Sequence, residues 1–164
     1  MLSEAEVQSL KGAFAGELIQ PGDPRYESAR RVWNGMVDRR PAMIARCADE
    51  GDVVAALRFA RELGLPVAVR GGGHNVAGNA VCDGVVIDLS AQKGIHVDPG
   101  LRTARAQPGV LLGELDRATQ AVGLATPTGN VSLTGLAGLT LGGGLGWIAA
   151  STGPPATTFS PPTS

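Results

Sequence analysis

The chain has 164 residues and a formal net charge of -1, with 14 basic and 15 acidic side chains. This balance creates no long-range field that would attract nucleic acid or an anionic membrane, so neither is an expected partner. Cys47 and Cys82 are far apart, without the spacing of a zinc site or a disulfide framework. No metal site is therefore expected. The N-terminus lacks a signal-like pattern and no apolar run reaches membrane-spanning length, so we expect a cytoplasmic protein.

The first predicted element is a helix. Ser3 and Glu6 form a capping-box pattern. Apolar side chains follow at helical spacing, namely Val7, Leu10 and Phe14, and the helix is expected to end before Pro21. The residues up to about 38 carry turn formers and charges without a sustained period, which predicts an extended segment that wraps the fold.

A helix and two strands are predicted next. Asp49 is a suitable N-cap, and Gly64 is a suitable stop. The apolar face of this helix is expected to carry Val53, Leu57, Ala60 and Leu63. Residues 65–69 predict a short buried strand, and residues 85–89 predict a second one.

A hairpin and another helix complete the regular elements. Residues 95–98 and 103–106 predict two strands joined at a Pro-Gly turn, with His96 in a structural role. The helix that follows has an apolar face made of Leu111, Leu112, Leu115, Ala118 and Val122, and it is expected to stop at Gly123. Because only one strand-helix-strand unit is visible, the fold class is α+β.

A glycine loop directly follows the first predicted strand and runs Arg70-Gly-Gly-Gly-His-Asn-Val-Ala-Gly78. Residues without a Cβ allow positive φ and let backbone N–H groups converge on phosphate oxygens, which suits a pyrophosphate. An isolated triple glycine can also be only a flexible turn. A Rossmann site is disfavoured, because residues after Gly78 do not predict a helix and Asp88 follows no Rossmann helix.

A second glycine-rich stretch lies after Pro127. It includes Thr134-Gly-Leu-Ala-Gly138 and Leu141-Gly-Gly-Gly-Leu-Gly-Trp147. Two such nests on separate lobes suit one extended ligand with two phosphates held between them.

The two stretches together resemble the berberine-bridge-enzyme-like FAD-linked oxidases, whose flavin domain is of the vanillyl-alcohol-oxidase or PCMH type. The strings that carry the resemblance are VAVRGGGHNVAGNAVCDGVVIDLS and TPTGNVSLTGLAGLTLGGGLGW. Arg31-Val-Trp-Asn-Gly-Met36 also looks like this family's N-terminal region.

The resemblance implies a PCMH-type FAD-binding domain of two small α/β lobes, incomplete at the C-terminus. It implies a helix and leading segment over 1–38 and the FAD-binding domain over 39–150, with lobes of about 39–106 and 107–150. It also implies hydride transfer from an alcohol or amine substrate to FAD, with oxygen as the acceptor.

By the same resemblance, His74 is the 8α-histidyl flavin ligand, and the pyrophosphate lies over Arg70 to His74. The expected phosphate contacts are Gly71, Gly72, Gly73, Asn75 and Gly78. The expected contacts from the other lobe are Thr128, Gly129, Thr134, Gly135, Gly138, Gly142 and Gly146.

The sequence departs from the family in two respects. Val131 stands where doubly linked members carry a flavin-binding cysteine, so only the histidyl bond is expected. The family's catalytic base is typically a tyrosine of the substrate domain, whereas the single tyrosine here is Tyr26 in the leading segment. No catalytic residue can therefore be assigned, and a non-catalytic FAD-binding remnant is an alternative to an oxidase. A nicotinamide-binding domain ranks below both.

The tail over 151–164 is rich in proline, serine and threonine, which predicts disorder. With suitable codons, the last residues can be read in a shifted frame as Asp-Asn-Leu-Leu-Ser-Ala-Asp-Val, a family-like segment. We therefore expect a truncated or frameshifted gene product, with the shift between about Trp147 and Ala156. A genuine short protein is the alternative, because synonymous codons leave room for coincidence.

Overall fold

The computed structural model describes residues 2–147. The helices are α1 (Glu4–Lys11), α2 (Tyr26–Ala29), α3 (Glu50–Glu62), α4 (Leu112–Gln120) and α5 (Leu136–Leu141). The strands are β1 (Glu17–Ile19), β2 (Met43–Arg46), β3 (Val67–Arg70), β4 (Val85–Asp88), β5 (Ile95–Asp98) and β6 (Thr103–Ala106). This mixture of helices and strands confirms the predicted fold class. The expectations of a disordered tail and a shifted frame fall on residues 148–164, outside the described residues.

The main sheet has the strand order β1-β2-β4-β3. Strand β4 lies in the interior and pairs in parallel with β2 and β3, whereas β1 pairs antiparallel with β2. All four residues of β4 are buried, as is usual for a parallel strand covered on both faces. This arrangement brings the ends of β3 and β4 together, where the glycine loop begins.

The two faces of the sheet have separate apolar cores, because alternate side chains of a strand point to opposite faces. Met43, Ala45, Val85 and Ile87 pack with α3 and with Leu10 of α1. Ile44, Ala68 and Val86 pack on the other face with Ile19, Tyr26, Ala29 and Val81. The Tyr26 hydroxyl donates to the carbonyl of Pro41 at 2.8 Å, so this tyrosine is part of the second core.

Helix α3 begins as predicted, because the Asp49 side chain accepts from the N–H of Asp52 at 3.0 Å. Its predicted apolar face is partly wrong. The buried residues are Asp52, Ala56, Phe59 and Ala60, whereas Leu57 is half exposed. Small alanines let the helix lie close to the sheet, and this rotates Leu57 toward solvent.

The segment before β2 is more regular than expected. Helix α1 has the predicted capping box but ends at Lys11, and part of the region expected to be helical before Pro21 forms strand β1. The supposedly extended stretch contains α2. These elements owe their order to tertiary contacts, because β1 forms by pairing with β2, a strand that the sequence pattern did not reveal.

The short strand predicted over residues 65–69 forms as β3, but it is an edge strand and only partly buried. Ala68 and Arg70 are buried, but Val67 and Val69 are exposed. Only one face of this strand is covered, because β3 ends the sheet and α3 packs over its interior.

The hairpin of β5 and β6 has the predicted bounds, and α4 packs against β5. His96 is exposed in this hairpin. Helix α4 ends at Gln120, before the exposed Val122, and Gly123 takes a positive φ of 71° as a helix stop. In the part of the chain that the structure describes, no helix is long and apolar enough to cross a membrane.

Candidate functional site

The glycine loop starts from a buried ion pair at the ends of β3 and β4. The Arg70 guanidinium donates to Asp88 at 2.8 Å and to the Ala29 carbonyl at 2.6 Å. Burial alone would raise the pKa of Asp88, but the hydrogen bond and charge of Arg70 hold it below its ordinary value. The Arg70 side chain is therefore used inside the protein, and it serves the loop by fixing its first residue.

The loop itself offers a series of free backbone donors. Among residues 2–147, none accepts a hydrogen bond from the backbone N–H groups of residues 72–77. Gly73 and Gly78 have φ values of 68° and 82°, which side chains rarely adopt, so glycine is required at both positions. Consecutive free N–H groups in such a loop form a cradle for an anion.

The second glycine-rich stretch meets this loop at Gly135. A Cβ added to Gly72 would lie 2.5 Å from the Gly135 nitrogen and 2.6 Å from its Cα. The reverse also holds, since a Cβ on Gly135 would lie 2.5 Å from the Gly72 nitrogen. The two backbones touch because both residues are glycine, so the structure brings together one residue from each glycine-rich stretch.

Residues 108–112, at the start of α4, contact both sides of this glycine pair. Leu111 forms an isolated antiparallel bridge with Gly135, and the N–H of Leu112 donates to the Thr134 carbonyl at 3.0 Å. A Cβ on Gly71 would lie 2.8 Å from the carbonyl oxygen of Pro108. Residues 108–112 thus hold Gly71, Thr134 and Gly135 in one place.

Other predicted contact residues form a second group around Leu139. A Cβ on Gly129 would overlap the Leu139 side chain, and a Cβ on Gly146 would overlap the Thr128 carbonyl. Thr128 is buried. Gly138 and Gly142 are exposed, and Gly138 has no atom within 4 Å of an added Cβ. Packing among the described residues therefore does not require glycine at position 138, whereas a Cβ on Gly142 would lie a tight 3.2 Å from the Gly138 carbonyl oxygen.

His74 lies under an aromatic side chain from the leading segment. The rings of His74 and Trp33 stack with centroids 4.5 Å apart and an interplanar angle of 21°. The backbone N–H of Trp33 donates to the Gly73 carbonyl at 2.9 Å, and the side-chain amide of Asn34 donates to the Val76 carbonyl at 2.8 Å. Asn75 is exposed, and its side chain accepts from the N–H of Asn79 at 2.9 Å within the loop.

The sequence did not assign Trp33, Pro108 or Leu111 to the site. Trp33 lies in the stretch that resembles the family's N-terminal region, and a tryptophan next to the turn-forming Asn-Gly is a signal that could have been followed. Pro108 and Leu111 act through their backbones, so their side chains gave no such signal.

The site has the chemistry of a binding cradle. No group of three or more histidine, cysteine or acidic side chains that could hold a metal ion occurs in the described range. Burial raises the pKa of the Cys47 thiol to about 12, so this cysteine is no nucleophile at neutral pH. Free loop N–H groups and two glycine backbones in contact fit the phosphates of a dinucleotide, and the imidazole at the loop lies beside them.

Fold and site together define an FAD-binding domain of the PCMH type. A family model described as an FAD binding domain matches residues 41–158, and the chain therefore belongs to this family. The (R)-6-hydroxynicotine oxidase of Paenarthrobacter nicotinovorans is 40% identical over 142 residues, which cover 86% of this chain and 31% of the relative. An uncharacterized FAD-linked oxidoreductase of Bacillus subtilis is 37% identical over 144 residues, or 87% of this chain and 32% of the relative.

Solved structures agree with these relatives. The crystal structure of 6-hydroxy-D-nicotine oxidase from Arthrobacter nicotinovorans matches with a TM-score of 0.84 at 38% identity, over 86% of this chain and 31% of that one. The wild-type BBE-like 1 protein of Physcomitrella patens matches with a TM-score of 0.85 at 28% identity, over 91% of this chain and 33% of that one. The resemblance to berberine-bridge-enzyme-like oxidases is confirmed, and the chain spans about a third of the length of these proteins.

Proposed function

We propose that this chain binds FAD as the cofactor-binding part of an oxidase, with the pyrophosphate on the loop of residues 70–78. The contact of Gly72 with Gly135 carries the proposal, because it joins the loop that has free N–H groups at residues 72–77 to the second glycine-rich stretch. A ligand with two phosphates and a ring system can then contact both stretches at once. The bound FAD would supply hydride-accepting chemistry, and the chain's own residues bind and orient it.

We further propose that His74 carries the flavin covalently. Among the described residues the imidazole has one close ring neighbour and lies in the loop that would hold the phosphates. Val131 is half exposed at the position where a second, cysteinyl bond would need a thiol, so a single bond is proposed. A covalent bond keeps the flavin in its site and tunes its potential.

The substrate class is an alcohol or an amine, oxidised in the whole protein with oxygen as the acceptor. One relative whose name specifies a substrate is a 6-hydroxynicotine oxidase, and another is named only as an FAD-linked oxidoreductase. Tyr26 is no candidate for the base in this reaction, because it is buried in the sheet core with its hydroxyl bonded to Pro41. A small-molecule substrate, and neither nucleic acid nor a membrane, is the proposed partner. We also propose a cytoplasmic location, in line with the two free thiols.

A nicotinamide cofactor is disfavoured by a specific contact. Asp88, the acidic residue at the end of β4, accepts from Arg70 at 2.8 Å. This side chain is committed to the buried ion pair.

Flavin binding by the purified chain tests the proposal. After mixing with FAD and removing the free cofactor, the protein should keep visible flavin absorbance, and NAD should not compete. Acid precipitation should leave part of the flavin with wild-type protein, whereas His74→Ala should release all of it and still bind FAD noncovalently. Protein that retains no flavin at all would overturn the FAD proposal. Covalent flavin on His74→Ala would overturn the attachment site alone.

A further inference from the structure

Trp33 is 61% exposed, yet its backbone and its neighbours fix the segment that carries it. Its own backbone N–H is bonded to Gly73, and the neighbouring Asn34 side chain is bonded to Val76. Val37 closes the same arrangement, since a Cβ on Gly78 would lie 2.9 Å from the Val37 side chain. Residues 33–37, here called the clip, therefore hold the loop on both sides of His74.

The His74 ring has no other directional contact in the described part of the chain. Neither imidazole nitrogen makes a hydrogen bond there, and no side-chain nitrogen or oxygen there is both buried and without a partner, so both ring nitrogens reach solvent. A histidine usually has its ring plane set by a hydrogen bond from one nitrogen. Here the stack on Trp33 is what sets the plane.

We propose that Trp33 is a positioning residue that orients the His74 imidazole for attachment of the flavin. The indole covers one face of the imidazole, while both ring nitrogens remain accessible and make no hydrogen bond among the described residues. Stacked aromatic pairs contribute about 0.5–1.5 kcal/mol, enough to favour one ring orientation over others. This inference depends on the proposed attachment of FAD to His74.

The bond that this orientation serves joins one imidazole nitrogen to the 8α methyl carbon of the flavin. The imidazole loses its N–H hydrogen and the methyl group loses one hydrogen. Both hydrogens, with two electrons, pass to the flavin ring, which becomes the reduced form. Dioxygen then takes these two electrons and two hydrogens, giving hydrogen peroxide and restoring the oxidised flavin. Trp33 takes no part in the bond changes.

The test compares wild type with Trp33→Ala and Trp33→Phe. The chain has two histidines, so the imidazole proton signals in an NMR spectrum are those of His74 and of the exposed His96, which serves as an internal reference. The indole should shift the His74 signal upfield in wild type. Trp33→Ala should remove this shift, Trp33→Phe should keep part of it, and His96 should not change.

The second readout is the rate at which flavin becomes resistant to acid extraction. Trp33→Ala should slow attachment by about tenfold, equal to about 1.4 kcal/mol, while noncovalent FAD affinity stays within about twofold. Trp33→Phe should restore most of the rate. Leu101→Ala, which removes an exposed side chain outside the clip, in the turn between β5 and β6, should match wild type.

An unshifted His74 signal in wild type would overturn the inference, as would equal attachment rates in wild type and Trp33→Ala. If wild type and all variants bind FAD but none attaches it covalently, the proposed covalent bond at His74 and the positioning role of Trp33 are both rejected. The proposal that the chain binds FAD then stands. If wild type alone attaches flavin and Trp33→Phe behaves like Trp33→Ala, a positioning role for the aromatic ring is rejected in favour of one specific to tryptophan.

Discussion

The smallest feature on which the site depends is the backbone contact between Gly72 and Gly135. A methyl group at position 72 would lie 2.5 Å from the Gly135 nitrogen, a distance that real Cβ contacts do not show. The two stretches would have to separate. Gly72→Ala should therefore weaken FAD binding by about tenfold or more, equal to at least about 1.4 kcal/mol, when affinity is measured by flavin titration.

Gly64→Ala is the matched control for this substitution. Gly64 ends α3 with a φ of 62° and has nothing within 4 Å of an added Cβ. Alanine there should cost about 1 kcal/mol of stability through backbone strain and leave FAD affinity unchanged. If both variants bind FAD equally well, the contact at Gly72 does not support the cofactor.

Arg70 is the residue through which the loop depends on the core. Arg70→Met would leave the buried Asp88 carboxylate with only its longer contact to the partly exposed Arg46, at 3.3 Å. Because the closer and more buried partner of the ion pair is removed, the free energy of unfolding should fall by about 3 kcal/mol at neutral pH. In wild type the pKa of Asp88 is lowered, so its stabilising effect is present above the unfolded-state pKa and is lost as pH falls through the folded-state pKa. Without Arg70, burial is expected to raise the pKa of Asp88. Protonation of Asp88 at low pH should then remove the buried charge and reduce the loss of stability in the variant.

Urea denaturation near pH 7 and near pH 4 checks this sign, because the stability difference between wild type and Arg70→Met should be larger at the higher pH. Arg61→Met, on the exposed side of α3, should show a small difference at both values. A deficit in Arg70→Met that grows on acidification would contradict the assignment of Asp88 as its charged partner.

At the scale of elements, one buried carboxylate ties the N-terminal region to α3. Asp52 accepts from the N–H groups of Ala15, Gly16 and Ala48 at 2.7, 2.9 and 2.8 Å. Asp52→Ala would leave all three donors without their acceptor, so the free energy of unfolding should fall by about 3 kcal/mol. Glu62→Ala, at an exposed position of the same helix, should change it by less than about 0.5 kcal/mol in the same denaturation experiment.

The elements that sequence predicted correctly are those whose signals are local. The β5–β6 hairpin has alternating residues around a Pro-Gly turn, and α3 has its cap at Asp49. Strand β2 was missed because Met43–Arg46 is short and is defined by pairing with β1 and β4. Helix α5 was missed because it has only six residues, interrupted by Gly138 and flanked by glycines, and its start is fixed by the hydrogen bond from the Leu136 N–H to the Val110 carbonyl.

The site follows the same rule. The loop of residues 70–78 could be predicted because glycines after a strand have a direct physical use. The meeting of Gly72 with Gly135 could be predicted only as two nests for one ligand, since the distance between them depends on residues 108–112. The stack of Trp33 on His74 joins residues that are far apart in sequence, and no local pattern indicates it.

At the scale of the whole molecule, large apolar side chains are exposed along the second glycine-rich stretch. Leu133, Leu141, Leu145 and Trp147 are all more than two-thirds exposed. Exposed apolar surface of this kind is a site of association or aggregation. We therefore expect the purified chain to self-associate as its concentration rises, with sedimentation velocity as the measurement.

Serine substitutions identify the surface responsible. Leu141→Ser combined with Leu145→Ser should reduce self-association, because it replaces exposed apolar area on this stretch with hydroxyl groups that remain hydrated. Leu101→Ser is the matched control, since Leu101 is equally large and 74% exposed but lies at the tip of the hairpin between β5 and β6. If Leu101→Ser reduces self-association and the double substitution does not, the associating surface lies on the hairpin. A chain that stays monomeric at every concentration would show that these leucines do not form an associating surface.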